Sequence, residues 1–206
     1  MVDRPATPPT FAASAVRAAG RVKGTLLIAR MRFLRDRGEE RVARVLAGLE
    51  AGDRAVVTGM LLPSSWYPAE VLLRLETTIA AVVADGNRRQ VFLEMGRFSA
   101  DTALGPTGVQ RAYLRQGDPH FVLRHVPRMY SSQHSDGQRV YQATSSHGAV
   151  IQAAGGPDTD AEDCLTLVGW LERAVVLSGG TGVRVEETSC CARGAACCEF
   201  RCEWSR

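Results

Sequence analysis

The chain has 206 residues, and 45% of them are hydrophobic, which is enough to bury a substantial core in one domain or two small ones. The formal net charge is +3, from 25 basic and 22 acidic residues spread along the chain, so no basic patch typical of nucleic-acid binding stands out. Charged residues interrupt every apolar segment before it reaches the roughly 18 residues that a membrane-spanning helix needs. The totals therefore favour one domain with neither a nucleic-acid partner nor a membrane span.

The first segment, residues 1–22, carries three prolines among alanine, serine and threonine, and it lacks the continuous apolar core of a signal peptide. We expect a disordered tail here, a single domain over residues 23–206, and a cytoplasmic location. Cytoplasmic cysteines are usually kept reduced, so a cluster of them is more typical of metal ligands or reactive thiols than of disulfides.

Apolar residues recur at helical spacing over residues 23–131, the predicted helical part. The predicted helices cover residues 23–37, 39–50, 52–60, a segment that restarts at the break 63–68 and runs to about 84, then 88–104, 108–115 and 118–131. Glycine and proline between these segments provide stop and start signals.

The spacing changes in residues 137–206, the predicted α/β part. Alternating segments predict a hairpin of strands Arg139–Ala143 and Ala149–Ala153, a helix over Thr159–Ser178, and two last strands, Gly182–Glu187 and Cys197–Trp204. The fold class is therefore predicted to be α+β. N-terminal helices are expected to pack on a small antiparallel sheet of about four strands, which the Thr159–Ser178 helix crosses.

Five of the six cysteines lie between Cys190 and Cys202. A tetrahedral zinc site needs about four ligands from elements that the fold places side by side. The predicted elements allow this, since Cys164 lies on the inward face of the last helix and Cys198 opens the final strand. Strand alternation puts Cys197 on the face opposite Cys198, so these two cannot easily ligate together. Buried, unreactive thiols are the alternative.

The end of the chain matches a family pattern: Cys164-x5-Trp170-Leu171-Glu172-Arg173, then Gly179-Gly180, then Glu187-x2-Cys190-x-Ala192-Arg193-Gly194-x3-Cys198-x-Phe200. This segment resembles the C-terminal half of 4-vinyl reductase domains, which belong to a superfamily of ligand-binding domains of nitric-oxide signalling and Golgi transport. In the aromatic-sensing members, a cysteine on the last helix, a glutamate and two hairpin cysteines hold zinc. The resemblance implies zinc at Cys164, Glu187, Cys190 and Cys198, a ligand cavity between sheet and helices, and a homodimer.

The upstream half resembles uncharacterised proteins abundant in myxobacteria, through Lys23-Gly24-Thr25-Leu26, the Pro63–Pro68 break and the segment Leu93–Ala100. That resemblance implies an architecture and no activity. Cys191, Cys197 and Cys202 are extra relative to the zinc pattern, so Cys191 or Cys197 in place of a named ligand stays open.

No Ser-His-Asp or paired-carboxylate arrangement stands out, which argues against an enzyme. The preferred hypothesis is a non-enzymatic sensory or regulatory domain that binds a small apolar ligand, contains structural zinc and signals through a regulatory protein partner. One alternative is an interaction scaffold whose cavity is filled by its own side chains. Another is a redox sensor that uses Cys191, Cys197 or Cys202. Haem is disfavoured, because Tyr130-Ser131-Ser132-Gln133 lacks the arginine of the haem-binding relatives' tyrosine-serine-arginine signature.

Overall fold

The computed structural model describes residues 20–155, 162 and 164–205. The helices are α1 (Gly24–Arg35), α2 (Glu39–Gly48), α3 (Ala51–Thr58), α4 (Ala69–Val83), α5 (Arg88–Leu104), α6 (Pro119–Gln133) and α7 (Cys164–Leu177). The strands are β1 (Arg21–Lys23), β2 (Trp66–Pro68), β3 (Gln138–Ser145), β4 (Gly148–Ala154), β5 (Thr181–Ser189) and β6 (Cys198–Ser205). The chain is thus mixed α+β, as predicted.

The larger sheet is antiparallel with strand order β3-β4-β6-β5, so the predicted four-stranded sheet is confirmed. Its two central strands pair Ile151 with Phe200 and Ala149 with Cys202. Along β6, the buried residues alternate with more exposed ones, and the buried set is Cys198, Phe200, Cys202 and Trp204. The alternation predicted for Cys198 and Cys202 is therefore observed, whereas Cys197, predicted to begin this strand, precedes it.

Two hydrophobic clusters form the interior. Helices α1, α2, α4 and α5 build the first, with Phe33, Leu75 and Phe92 fully buried. Helices α6 and α7 pack with the four-stranded sheet to build the second. Of the predicted N-terminal helices, α6 packs on the sheet together with α7, and α5 joins the two clusters by packing along α7.

Two predictions for the helical part need correction. The tail was predicted to end at Val22, but Arg21–Lys23 pairs with Trp66–Pro68 as a two-stranded sheet, and Val22 is buried. Such three-residue strands carry no detectable alternation. The helix predicted over 108–115 is a single 3-10 turn at Arg111–Tyr113, because the preceding Gly105, Pro106 and Gly108 break the helix.

The predicted helix start at Asp118 is confirmed, since the Asp118 carboxylate accepts a hydrogen bond from the Phe121 N–H at 2.9 Å and Pro119 is the first helical residue. Residues 1–19 of the predicted tail and most of the predicted start of the last helix, at 159–161 and 163, lie outside the described residues. Within the described ranges, no helix is long and apolar enough to cross a membrane.

Candidate functional site

Four predicted ligands meet where α7 begins and the last hairpin turns. Cys164 is the first residue of α7, and Glu187 lies near the end of β5 at an irregularity in its pairing with β6. Cys190 precedes a 3-10 turn at Cys191–Arg193, and Cys198 opens β6. The left-handed Gly194, with φ of 89°, turns the chain back toward β6.

The ligand atoms of Cys164, Glu187, Cys190 and Cys198 all lie within 4.8 Å of one another. The Cys164 sulfur is 3.7 Å from the Cys198 sulfur and 4.0 Å from the Cys190 sulfur. All three thiols are buried. Three sulfurs and a carboxylate in such a space form a set of soft and borderline ligands that a divalent metal ion can use.

The Glu187 carboxylate is oriented by Arg193, whose Nη2 donates a hydrogen bond to Oε2 at 2.8 Å. The other oxygen, Oε1, is buried and has no hydrogen-bond partner within the described part of the chain. A buried carboxylate oxygen without a partner is costly, so this atom is poised for a ligand that the protein itself does not supply.

The thiols of the cluster differ in acidity. The Cys164 thiol donates to the Cys198 sulfur, and this bond, aided by the Cys191 backbone N–H at 3.3 Å, lowers the pKa of Cys198 to about 5 against the cost of burial. The same bond, burial and the nearby Glu187 raise the pKa of Cys164. The cluster therefore already favours one thiolate, the form of cysteine that binds metals.

The additional cysteines stand apart from this group. The set with mutually close ligand atoms includes neither Cys191 nor Cys197. Cys191 is exposed, Cys197 is half-buried just before β6, and Cys202 is fully buried on β6. The set with mutually close ligand atoms is thus the predicted one, Cys164, Glu187, Cys190 and Cys198.

A cavity of about 360 Å³ lies between the helices and the larger sheet, and Cys164, Cys191 and Cys198 form part of its wall. Apolar side chains make up much of the rest, among them Leu26, Leu72, Met129, Leu167, Trp170 and Phe200. Polar groups also reach it, chiefly Arg30, Glu76, Ser99, His134 and Arg139. The metal-ligand cluster and the cavity therefore share a wall.

Sequence reasoning missed these polar groups. Arg30 and Glu76 form an ion pair at 2.5 Å and are 3% and 4% exposed, respectively. One signal was available, because Glu76 follows Leu72 by four residues and so falls on the apolar stripe of α4, where a carboxylate needs a buried partner.

His134 follows α6 and lines the cavity. Its Nδ1 lies 3.2 Å from the Tyr130 carbonyl oxygen, to which it donates, and its ring stacks on Tyr130. Burial is the largest of the effects that lower the pKa of His134 to about 4, and the positive charge of Arg139 is the next largest. The hydrogen bond to the Tyr130 carbonyl raises the pKa, whereas the positive charge of Arg30 lowers it further. The imidazole is therefore neutral at pH 7, with Nε2 as an acceptor.

This neutrality predicts a pH-dependent stability. The unfolded state binds a proton at His134 below pH 6.5, whereas the folded state does so only near pH 4, so stability is lost as the pH falls between these values. From pH 7.5 to pH 5, we expect the free energy of unfolding to fall by about 2 kcal/mol more in the wild type than in His134→Gln. Urea unfolding of both proteins with chelator and reductant measures this difference, and equal losses would contradict it.

No protein-family model and no curated protein sequence matches the chain. Solved structures do. The H-NOX protein from S. oneidensis in the Fe(II)NO ligation state has a TM-score of 0.65 at 12% identity, over 89% of this chain and 99% of that one. A mutant Fe(II) unliganded H-NOX protein from K. algicida gives 0.64 at 12% identity, over 89% and 97%. An H-NOX mutant from T. tengcongensis gives 0.64 at 13%, over 89% and 98%. The chain therefore has a fold similar to that of H-NOX domains over most of its length.

Proposed function

We propose that this chain is a sensory module of the 4-vinyl reductase type that binds a small apolar ligand in its cavity and one zinc ion at Cys164, Glu187, Cys190 and Cys198. The shared wall between the cavity and the cysteine cluster carries the proposal. The similarity in fold to H-NOX proteins, one of them solved in an Fe(II)NO ligation state, supports a ligand-binding role.

The donor set fits zinc. Tetrahedral zinc with Zn–S bonds of about 2.3 Å places its sulfur ligands about 3.8 Å apart. The two sulfur separations of 3.7 and 4.0 Å bracket that value. The unpartnered Oε1 of Glu187 supplies the fourth ligand. Four protein ligands leave no open position, so the metal would be structural and would join α7 to the terminal hairpin.

The cavity favours a ligand over the scaffold alternative. An interaction scaffold was expected to fill this space with its own side chains, whereas about 360 Å³ is open here. A volume of that size with mostly apolar lining and a few convergent polar groups is typical of small-molecule sites.

Haem suits the cavity poorly. His134 is the histidine among the cavity-lining residues that could serve as an axial ligand. The wall also carries the buried Arg30–Glu76 ion pair, which an apolar porphyrin face would leave without solvation. We expect purified protein mixed with haemin to show no Soret band of a ligated haem, and an absorbance spectrum with such a band would overturn this expectation.

The redox alternative receives no support from the thiols that it requires. Partial desolvation and the neighbouring Cys198 sulfur raise the pKa of Cys191 to about 11. Burial raises the pKa of Cys202 to about 12, and it also raises the pKa of Cys197. Reactive cysteines need the opposite shift. The role we propose remains non-enzymatic ligand sensing by a cytoplasmic homodimer, with the signal passed to a regulatory protein.

A cavity-blocking variant tests ligand binding. Leu167 lines the cavity, whereas Val176, on the same helix, is exposed, so Leu167→Trp and Val176→Trp form a matched pair. We expect decanol or naphthol to raise the melting temperature of the wild type and Val176→Trp, but not of Leu167→Trp, because only the first two keep the volume. Equal shifts in all three proteins, or none in any, would contradict the proposed site.

A further inference from the structure

The arginines that line the cavity outnumber the carboxylates. Two arginines, Arg30 and Arg139, line it together with one carboxylate, Glu76. They come from α1, β3 and α4, so the fold rather than local sequence brings them to one space. Which arginine is already neutralised decides what charge a ligand should bring.

Arg30 has its counter-ion. Its Nε donates to Glu76 Oε1 at 2.5 Å, and its Nη1 donates to the Ser99 hydroxyl and to the Met95 carbonyl. Because this pair is buried and closed on itself, a ligand would have to break it to use either charge.

Arg139 has no such partner. Its guanidinium lies 3.7 Å from the centroid of the Tyr130 ring, and its Nη1 donates to the neighbouring Gln138 carbonyl. Its Nε is buried without a hydrogen-bond partner, and it forms no ion pair with any described residue. Asp136 lies nearby in sequence, yet its own Oδ1 is also buried without a partner. A half-buried guanidinium in this state lacks an anion.

His134 does not supply the missing charge. Its Nδ1 donates to the Tyr130 carbonyl, which leaves Nε2 as an acceptor, and the pKa lowered by burial and by Arg139 keeps the ring neutral. Among the arginine and carboxylate side chains that line the cavity in the described part of the chain, Arg139 is therefore the one without a counter-ion.

We propose that the cavity binds a monocarboxylic acid, whose carboxylate pairs with Arg139 and whose apolar body lies against Leu26, Leu72 and Met129. This inference rests on the proposed ligand-binding function and narrows its ligand class. The planar guanidinium matches a carboxylate by two parallel hydrogen bonds. One unpaired guanidinium balances the single negative charge of a carboxylate. A phosphate monoester carries a second negative charge, which would have no partner.

Matched acids and alcohols test whether the cavity prefers a negatively charged head group. Decanoate with decanol, and naphthoate with naphthol, share an apolar body and differ in the head group. We expect at least one acid to bind the zinc-loaded wild type about tenfold more tightly than its alcohol in calorimetric titration, since hydrogen bonds to charged groups contribute that much or more. The pair that shows the preference reports whether the body is aliphatic or aromatic.

Two arginine variants test whether Arg139 causes the preference for the acid over the alcohol. Arg139→Met retains an apolar side chain over Tyr130 and should abolish the preference for the acid while alcohol binding persists. Arg201→Met removes an exposed arginine of β6 and should leave the preference intact. If alcohols bind as tightly as acids, or if the preference survives in Arg139→Met, the carboxylate inference is wrong and the ligand-binding function stands. If neither acids nor alcohols bind, the ligand-binding function itself is wrong.

Discussion

Replacing Cys198 with serine is expected to reduce the bound zinc from one per chain to well below one and to lower the melting temperature by about 10 °C. Loss of a metal held at a thousand times its dissociation constant removes about 4 kcal/mol of stability. In a chain of this length, each kcal/mol corresponds to about 2–4 °C. Metal analysis by mass spectrometry and thermal unfolding of the reduced protein measure the two effects.

Cys198 is the most informative of the four ligands because its sulfur is the hydrogen-bond acceptor of the cluster. It accepts the Cys164 thiol at 3.7 Å and the Cys191 N–H at 3.3 Å, and its lowered pKa makes it the thiolate of the group. Serine keeps the size but has neither the soft sulfur nor the acidity that zinc requires.

Cys197 provides the matched control, since it is the adjacent cysteine, is half-buried, and is not part of the set with mutually close ligand atoms. Cys197→Ser should retain one zinc per chain and melt within about 2 °C of the wild type. Equal zinc loss in Cys197→Ser and Cys198→Ser would contradict the assignment of ligands. Wild-type protein that carries no zinc after purification with zinc in the medium would remove the metal site altogether.

The contrast between these neighbours shows what a local pattern can predict. A period of two residues places Cys198 and Cys197 on opposite faces of any strand, so their different environments follow from the sequence alone. The long helices were equally predictable from the sequence, and α5 begins and ends at the predicted Arg88 and Leu104. Both features depend on residues within one element.

Features that depend on distant segments were not predictable in this way. Arg21–Lys23 becomes a strand because Trp66–Pro68, more than 40 residues away, offers its backbone. The polar end of the cavity likewise assembles Arg30, Glu76, His134 and Arg139 from separate elements. Within its own segment, each of these residues is an ordinary charged or polar residue. They come together as cavity-lining groups only when the two hydrophobic clusters pack. The resemblance to 4-vinyl reductase domains predicted the ligand set but not this charge arrangement.

Replacing Gly169 with alanine is expected to reduce the free energy of unfolding by about 3 kcal/mol or more, although alanine is the better helix former. A Cβ at Gly169 would overlap the Leu93 carbonyl oxygen of α5 and lie 2.8 Å from the Leu93 carbonyl carbon. Backbone atoms cannot rotate away as a side chain can, so the two helices must separate. Gly96 on α5 faces Thr166 and Trp170 of α7 in the same way, and Gly96→Ala should have a similar effect.

This close approach matters for the site because α7 carries parts of both halves of it. Cys164 at its first residue belongs to the metal cluster, and Leu167 and Trp170 line the cavity. A shift of α7 away from α5 would therefore displace a zinc ligand and reshape the cavity together. We expect Gly169→Ala to lose zinc more readily to a chelator than the wild type does, in addition to being less stable.

Gly52 supplies the control, because it lies within the helix α3 and a Cβ added there would meet no atom within 4 Å. Gly52→Ala should raise the free energy of unfolding by up to about 1 kcal/mol, the intrinsic advantage of alanine in a helix. Urea unfolding with zinc present compares the three variants. If the free energy of unfolding of Gly169→Ala lies within about 0.5 kcal/mol of the wild-type value, α5 and α7 do not pack backbone to backbone. The packing that positions α7 in the wall shared by the cavity and the cysteine cluster would then be wrong.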